Sequence, residues 1–165
     1  RLMQRAKDKG IFITFDPNLR PALWENEETM RSVINELASM ADVVLPGIEE
    51  CKILLGTTDM EEAAQMYQKA GAKIVIIKDG SKGAFVKENE NTYTVPGFHV
   101  DKVVDTVGAG DGFAVGVISG ILEGRTIKES VRRGNAIGAI QVMNISDNEG
   151  LPTKEELDKF IETNK

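Results

Sequence analysis

Lys73-Ile74-Val75-Ile76-Ile77 places four β-branched side chains in succession and runs straight into Lys78-Asp79-Gly80-Ser81-Lys82-Gly83. Such a run reads as a strand buried on both faces, as in a parallel sheet. Upstream, Ile11-Phe12-Ile13-Thr14-Phe15, ended by Asp16-Pro17, and Asp42-Val43-Val44-Leu45, closed by Pro46-Gly47, read as two more buried strands. Between them Met30, Val33, Ile34, Leu37 and Met40 fall at helical spacing from about Glu27 to Ala41. Glu49 to Leu55 and Met60 to Ala70 read as helices stopped by Gly56 and Gly71. Downstream, Gly83 to Lys87 and Thr92 to Val95 flank the polar tip Glu88-Asn89-Glu90-Asn91 as a hairpin. Two long apolar helices follow, about Ala109 to Leu122 and Ile127 to Met143, and a last one begins after Pro152-Thr153. This alternation predicts one α/β domain: a mostly parallel sheet covered by helices, with a later antiparallel hairpin.

The bulk properties restrict what the chain can do. Its 165 residues suffice for one buried core, and 41% hydrophobic with 28% charged residues is ordinary for a soluble globular protein. A net charge of -6 argues against a nucleic-acid or membrane-surface partner, which needs clustered Lys and Arg. A single cysteine, Cys51, excludes an internal disulfide, and a single histidine, His99, leaves no Cys/His zinc cluster. These counts suit a reducing, cytoplasmic location. The opening Arg1 to Gly10 reads as the end of an amphipathic helix, not a secretory peptide, so a piece of something longer is expected.

Asp105-Thr106-Val107-Gly108-Ala109-Gly110-Asp111-Gly112-Phe113 carries the chemistry. From Val107 to Leu122 the only charge is Asp111, which is costly to bury without a compensating partner. Gly108-Ala109-Gly110 lacks bulky side chains, so its backbone N–H groups can close on an anion at the start of a helix. A phosphate there meets free amides and the positive end of the helix dipole, beside Asp111 in the first turn. A carboxylate so placed can accept the proton of an attacking hydroxyl. Two plainer readings stand beside this one. Gly108, Gly112, Gly116 and Gly120 recur every four residues as a smooth packing face, and Asp111 can serve as a helix cap. The spacing excludes a dinucleotide fingerprint, because Phe113 stands where its third glycine belongs. Gly124-Arg125-Thr126 is not a Walker A loop.

The stretch Asp105 to Asp111 resembles the C-terminal signature Asp-Thr-X-Gly-Ala-Gly-Asp of the ribokinase-like (PfkB-type) carbohydrate kinases. The resemblance implies a ribokinase-like α/β fold in its C-terminal portion. It also implies ATP and Mg²⁺, an anion hole made by Gly108, Ala109 and Gly110, and Asp111 as catalytic base. Lys78, Gly80, Ser81 and Gly83 then become nucleotide-binding candidates, because Gly80 and Gly83 match a family turn along ATP; a plain hairpin turn is the alternative. Asn135, in Gly134-Asn135-Ala136, matches an Asn-Ala pair near adenine; otherwise it is a satisfied packing amide.

Asp16-Pro17-Asn18-Leu19-Arg20 resembles the Asp-X-Asn-X-Arg of kinases acting on 2-keto-3-deoxygluconate and fructose. Turn chemistry explains Asp16, Pro17 and Asn18 without any function and explains Arg20 and Trp24 less well; the resemblance implies that Asp16, Asn18 and Arg20 are on the substrate side. Arg20 fits a bidentate partner of a carboxylate or phosphate, with Trp24 to brace it, and this favours the sugar acid. Gly47-Ile48-Glu49-Glu50 departs from the family's Asn-X-X-Glu: Glu50 is retained for Mg²⁺ through water, and Gly47 replaces the Asn.

The reading is therefore an ATP-dependent kinase of a sugar or sugar-acid hydroxyl, foremost 2-keto-3-deoxygluconate. A fructokinase or ribokinase-type enzyme, or a truncated non-catalytic nucleotide-binding relative, are the alternatives. Residues 1–165 would be its C-terminal nucleotide-binding and catalytic part, without the sugar-binding half and lid. Alone they are expected to be poorly active, because no lid excludes water. An open sheet edge is expected to promote homo-oligomers or poor solubility.

Overall fold

Strands β1 (Thr14–Phe15), β2 (Val43–Val44) and β3 (Ile74–Lys78) lie parallel and adjacent in the computed structural model, which describes residues 1–145 and 150–164. The register sets Thr14 and Phe15 against Val43 and Val44, and these against Ile74 and Val75. The sheet continues through β4 (Gly83–Glu88) to β5 (Asn91–Pro96), in the order β1-β2-β3-β4-β5. The Asn89-Glu90 turn between β4 and β5 is short enough to join only antiparallel neighbours, and Asn89 takes the left-handed φ of 54° that it needs. A mostly parallel α/β sheet with a later antiparallel hairpin is the arrangement expected.

By its contacts the chain forms two compact units, Arg1–Asp79 with Phe85–Tyr93 and Gly80–Ala84 with Thr94–Lys165. In the first, helices α1 (Leu2–Asp8), α2 (Glu27–Ala38), α3 (Ile48–Leu55) and α4 (Met60–Ala70) accompany the strands. Asn26 and Asp59 cap α2 and α4, accepting from the N–H groups of Thr29 and Glu62 at 2.8 and 2.9 Å. Val44, Val75 and Ile77 pack with Cys51, Ala63, Ala64 and Tyr67 from α3 and α4. That core fixes the C-terminal ends of β1 and β3, where the candidate residues stand.

Two boundaries differ from the sequence reading by three residues. The strand expected over Ile11–Phe15 pairs only at Thr14–Phe15; Ile13 is buried, whereas Ile11 and Phe12 are about half exposed. Among the described residues β1 is the outermost strand of the sheet. α2 stops at Ala38 because the N–H groups of Met40 and Ala41 bond back to Leu37 and Ala38, tightening the chain into the turn that enters β2.

The second unit rests on α5 (Ala109–Leu122), α6 (Ile127–Gln141) and α7 (Lys154–Thr163). The every-fourth glycine pattern is a packing face after Gly108. A Cβ on Gly116 would lie 2.6 Å from Gly134 Cα, and one on Gly120 2.6 Å from Ser130 Oγ. Backbones so close leave no room for side chains. Phe98, Ala136, Ile137 and Leu157 make a second apolar cluster, with Arg132 5.0 Å over the Phe98 ring. No helix among the described residues is long and apolar enough to cross a membrane.

Glu123, just past α5, ties the three helices electrostatically. It accepts from the buried Arg133 at 2.8 Å and from Arg125 at 3.3 Å, with Lys154 at 3.6 Å. The Arg133 hydrogen bond, helped by Arg125, holds its carboxyl down to about 2. A carboxyl depressed in the folded state stabilises above its unfolded value, and that contribution disappears as pH falls through the folded one. Stability of the wild type should therefore decline from about pH 4.5 toward about pH 2, and Glu123→Gln should flatten this limb. Thermal midpoints measured across that window check it.

Candidate functional site

In the first unit, the turn after β1 is held from several sides. Asp16 receives Lys78 Nζ at 2.6 Å on one oxygen and the Asn18 N–H at 3.2 Å on the other. Asn18 adopts a left-handed φ of 41°, a conformation that Asn tolerates at a tight turn. Arg20 folds its Nη1 back onto Asn18 Oδ1 at 2.8 Å and the Leu19 carbonyl at 2.9 Å. Trp24 packs, with Leu19, against Met30, Ile34 and Leu54, so it belongs to the local core. Burial raises the Asp16 carboxyl above its ordinary range, outweighing the attraction of Lys78; the nearby Glu50 adds to the rise.

Glu50 stands at the third position of α3. Its Oε2 accepts the Gly47 N–H at 2.7 Å and its Oε1 the Leu19 N–H at 2.8 Å. Glu49 beside it is exposed, as expected of an ordinary neighbour. Among the described residues, no three His, Cys, Asp or Glu side chains form a ligand set for a metal ion.

In the second unit, the segment Asp105–Asp111 builds the start of α5. Asp105 Oδ1 accepts the Val107 N–H at 3.0 Å, and the Val104 N–H donates to the Val142 carbonyl at 2.7 Å. Gly108 is the N-cap at φ 78°, which a side chain would strain, and it offers no side-chain cap. The first-turn N–H groups of a helix have no acceptor within it, so this helix start presents donors, of which the Ala109 N–H bonds back to the Thr106 carbonyl at 3.4 Å. Asp111 lies in that first turn and is exposed. The desolvation cost that made this lone charge conspicuous is therefore absent: Gly112, Gly116 and Gly120 take the buried face, and Asp111 lies off it.

Three of the nucleotide candidates meet at one backbone segment. A Cβ on Gly83, at φ 101°, would overlap the Val95 carbonyl and the Gly97 nitrogen, and one on Gly97 would overlap the Ser81 carbonyl. The buried Asn135 donates its amide to the Val95 and Pro96 carbonyls, both at 3.0 Å. Gly83, Ser81 and Asn135 are thus organised around Val95–Gly97, whereas Lys78 is held by Asp16 and Gly80 is exposed. Sequence reading missed Leu19, Val95 and Pro96, because each contributes backbone atoms. Only the Pro96-Gly97 turn pair gave any signal there.

Comparison with known proteins closes the question of family. Residues 1–154 match the model of the pfkB family carbohydrate kinases. The chain belongs to that family. It is 51% identical over 160 residues to 2-dehydro-3-deoxygluconokinase of Bacillus subtilis (strain 168), covering 97% of this chain and 49% of that protein. The crystal structure of a PfkB protein from Polaromonas sp. JS666 is 46% identical, with a TM-score of 0.84 over 94% of this chain and 49% of that one. Fructokinase from Vibrio cholerae O395, solved with fructose, ADP and calcium ion, is 30% identical, with a TM-score of 0.89 over 96% and 53%. The chain spans about half the length of these relatives.

Within this carbohydrate-kinase chain Gly47 departs from the family tetrad without distorting the backbone. Its φ of -82° suits any residue, and an added Cβ would meet Glu50 Oε2 at an ordinary 3.5 Å. An Asn side chain there can accept from the open end of α3. Gly47→Asn is therefore expected to fold and to raise the thermal midpoint by about 1 °C, the small gain of Asn over Gly at an N-cap. Calorimetry of the two proteins checks it.

Proposed function

We propose that the chain is the nucleotide-binding, catalytic part of a kinase that transfers the γ-phosphate of MgATP to a hydroxyl of a sugar acid, foremost 2-keto-3-deoxygluconate. The observation that carries this reading is the start of α5: a left-handed Gly108 cap, a glycine-lined first turn and an exposed Asp111 beside it. Asp111 would accept the proton of the attacking hydroxyl, and the Gly108, Ala109 and Gly110 amides would stabilise charge on the phosphoryl group. Gly80, Ser81, Gly83 and Asn135 would shape the nucleotide position, and Lys78, held by Asp16, would be a further nucleotide-binding residue. Asp16, Asn18 and Arg20 would face the substrate, Arg20 neutralising a carboxylate or phosphate.

The residues fit Mg²⁺ held largely by substrate phosphates. Each Glu50 oxygen has one backbone N–H on it and retains acceptor capacity for a metal-bound water. When bound, Mg²⁺ would supply charge neutralisation at the phosphates. The identity to a 2-dehydro-3-deoxygluconokinase supports the sugar-acid reading; the likeness to a fructose-bound fructokinase keeps fructose as the second one.

The test is MgATP-dependent phosphorylation of 2-keto-3-deoxygluconate, fructose, ribose and adenosine by the protein that carries this chain. Preferential turnover of the sugar acid is expected. Turnover of fructose alone would replace the substrate, and nucleotide binding without any turnover would favour a non-catalytic relative.

A further inference from the structure

Glu50 has a task that its expected metal role does not account for. Its two oxygens reach in different directions: Oε2 closes on the Gly47 N–H at the start of its own helix, and Oε1 closes on the Leu19 N–H, 31 residues away in sequence. Leu19 lies between the two residues whose geometry matters most in that turn. Asn18 before it holds the left-handed backbone, and Arg20 after it folds Nη1 onto the Asn18 and Leu19 carbonyls at 3.3 and 2.9 Å. The Leu19 side chain meanwhile packs on Met30, Ile34 and Leu54. A left-handed Asn and an exposed Arg are not self-supporting; they persist where surrounding contacts over-determine them.

We infer that Glu50 is a positioning residue for Arg20: its carboxylate clamps the Leu19 N–H to the start of α3 and so sets where the guanidinium is presented. Gly47 fits this arrangement. Its N–H anchors the second oxygen at 2.7 Å. The clamp is made of backbone donors and one carboxylate, so it exists with or without a bound metal. A glutamine has only one acceptor oxygen and presents N–H donors in place of the other, so it can keep only one end of the clamp. An alanine keeps neither.

The role of Arg20 itself rests on the phosphotransfer reading above, so two readouts are needed. The first requires no turnover: hydrogen–deuterium exchange at the Leu19 amide in the protein that carries this chain, without nucleotide or Mg²⁺. Glu50→Ala should raise exchange there by roughly tenfold or more, the scale of a lost hydrogen bond to a charged acceptor. Glu50→Gln should fall between Ala and wild type. The Cys51 amide, bonded to the Gly47 carbonyl at 3.0 Å, reports whether α3 stays folded. Unchanged Leu19 exchange in a Glu50→Ala protein with intact α3 overturns the clamp. The second is a double-mutant cycle on kcat with Glu50→Ala and Arg20→Ala. Losses that overlap show Glu50 acting through Arg20, whereas independent, additive losses assign it to the metal alone and overturn the positioning role. If no variant and no wild type turns over sugar, the kinase reading fails while the exchange result still judges the clamp.

Discussion

Replacing Asp111 with Asn is expected to lower kcat for phosphoryl transfer by about 100- to 10,000-fold, the range for a lost general base. Asn keeps the size and shape of the side chain but cannot take up the hydroxyl proton. Because Asp111 is exposed in the first turn of α5, the substitution leaves no cavity. It weakens the interaction of one carboxylate with the helix dipole, worth about 0.3–1 kcal/mol at an exposed terminus. A large fall in kcat, with the thermal midpoint and the KM for MgATP nearly unchanged, is the expected pattern. Retention of activity within a factor of ten would sink the assignment of Asp111 as base. A loss of nucleotide affinity with intact kcat would instead make it part of the anion site.

Lys78→Met should act on stability first. Met keeps most of the aliphatic stem, but Asp16 then loses its 2.6 Å partner in a setting where both side chains are only 18% exposed. Removing one member of such a pair leaves an uncompensated charge, at a cost of about 3 kcal/mol, or about 10 °C in the thermal midpoint of a protein this size. Burial already raises the Asp16 carboxyl, and losing Lys78 raises it further. A carboxyl raised in the folded state destabilises where it must ionise, and that penalty vanishes once it binds a proton. The deficit should therefore be full at neutral pH and shrink as pH falls through the raised Asp16 value toward the ordinary 3.8. Adding Asp16→Asn to Lys78→Met should recover most of the lost midpoint at neutral pH. If Lys78→Met keeps its stability and loses only nucleotide affinity, the direct nucleotide role stands and the structural one falls.

Both variants concern residues whose types were informative in the sequence but whose partners were not. Lys78 followed a buried strand and preceded a glycine turn, which suggested the nucleotide; its ion pair with Asp16 joins positions 62 residues apart. Asn135 stood out as an amide in a small-residue helix, yet that its protons go to Val95 and Pro96 depends on where β5 ends beside α6. The lone charge of Asp111 pointed correctly to the first turn of a helix. The supposed burial that drew attention to it is absent, because side chains one position off a glycine face need not be covered.

Local order was determined by sequence alone. β-Branched runs specify buried strands through sterics and burial, glycines and caps place helix ends, and Asp105–Asp111 must form a side-chain-poor helix start. These signals depend on residues within a few positions of one another. The tertiary structure decided what no local signal encodes. It set the exposure of Ile11 and Phe12 ahead of β1, the approach of α5 to α6, and the carboxylate of Glu50 on the Leu19 amide. Each depends on groups meeting across the fold, and every residue but proline carries the same N–H and C=O, so which of them pair leaves no mark in the sequence.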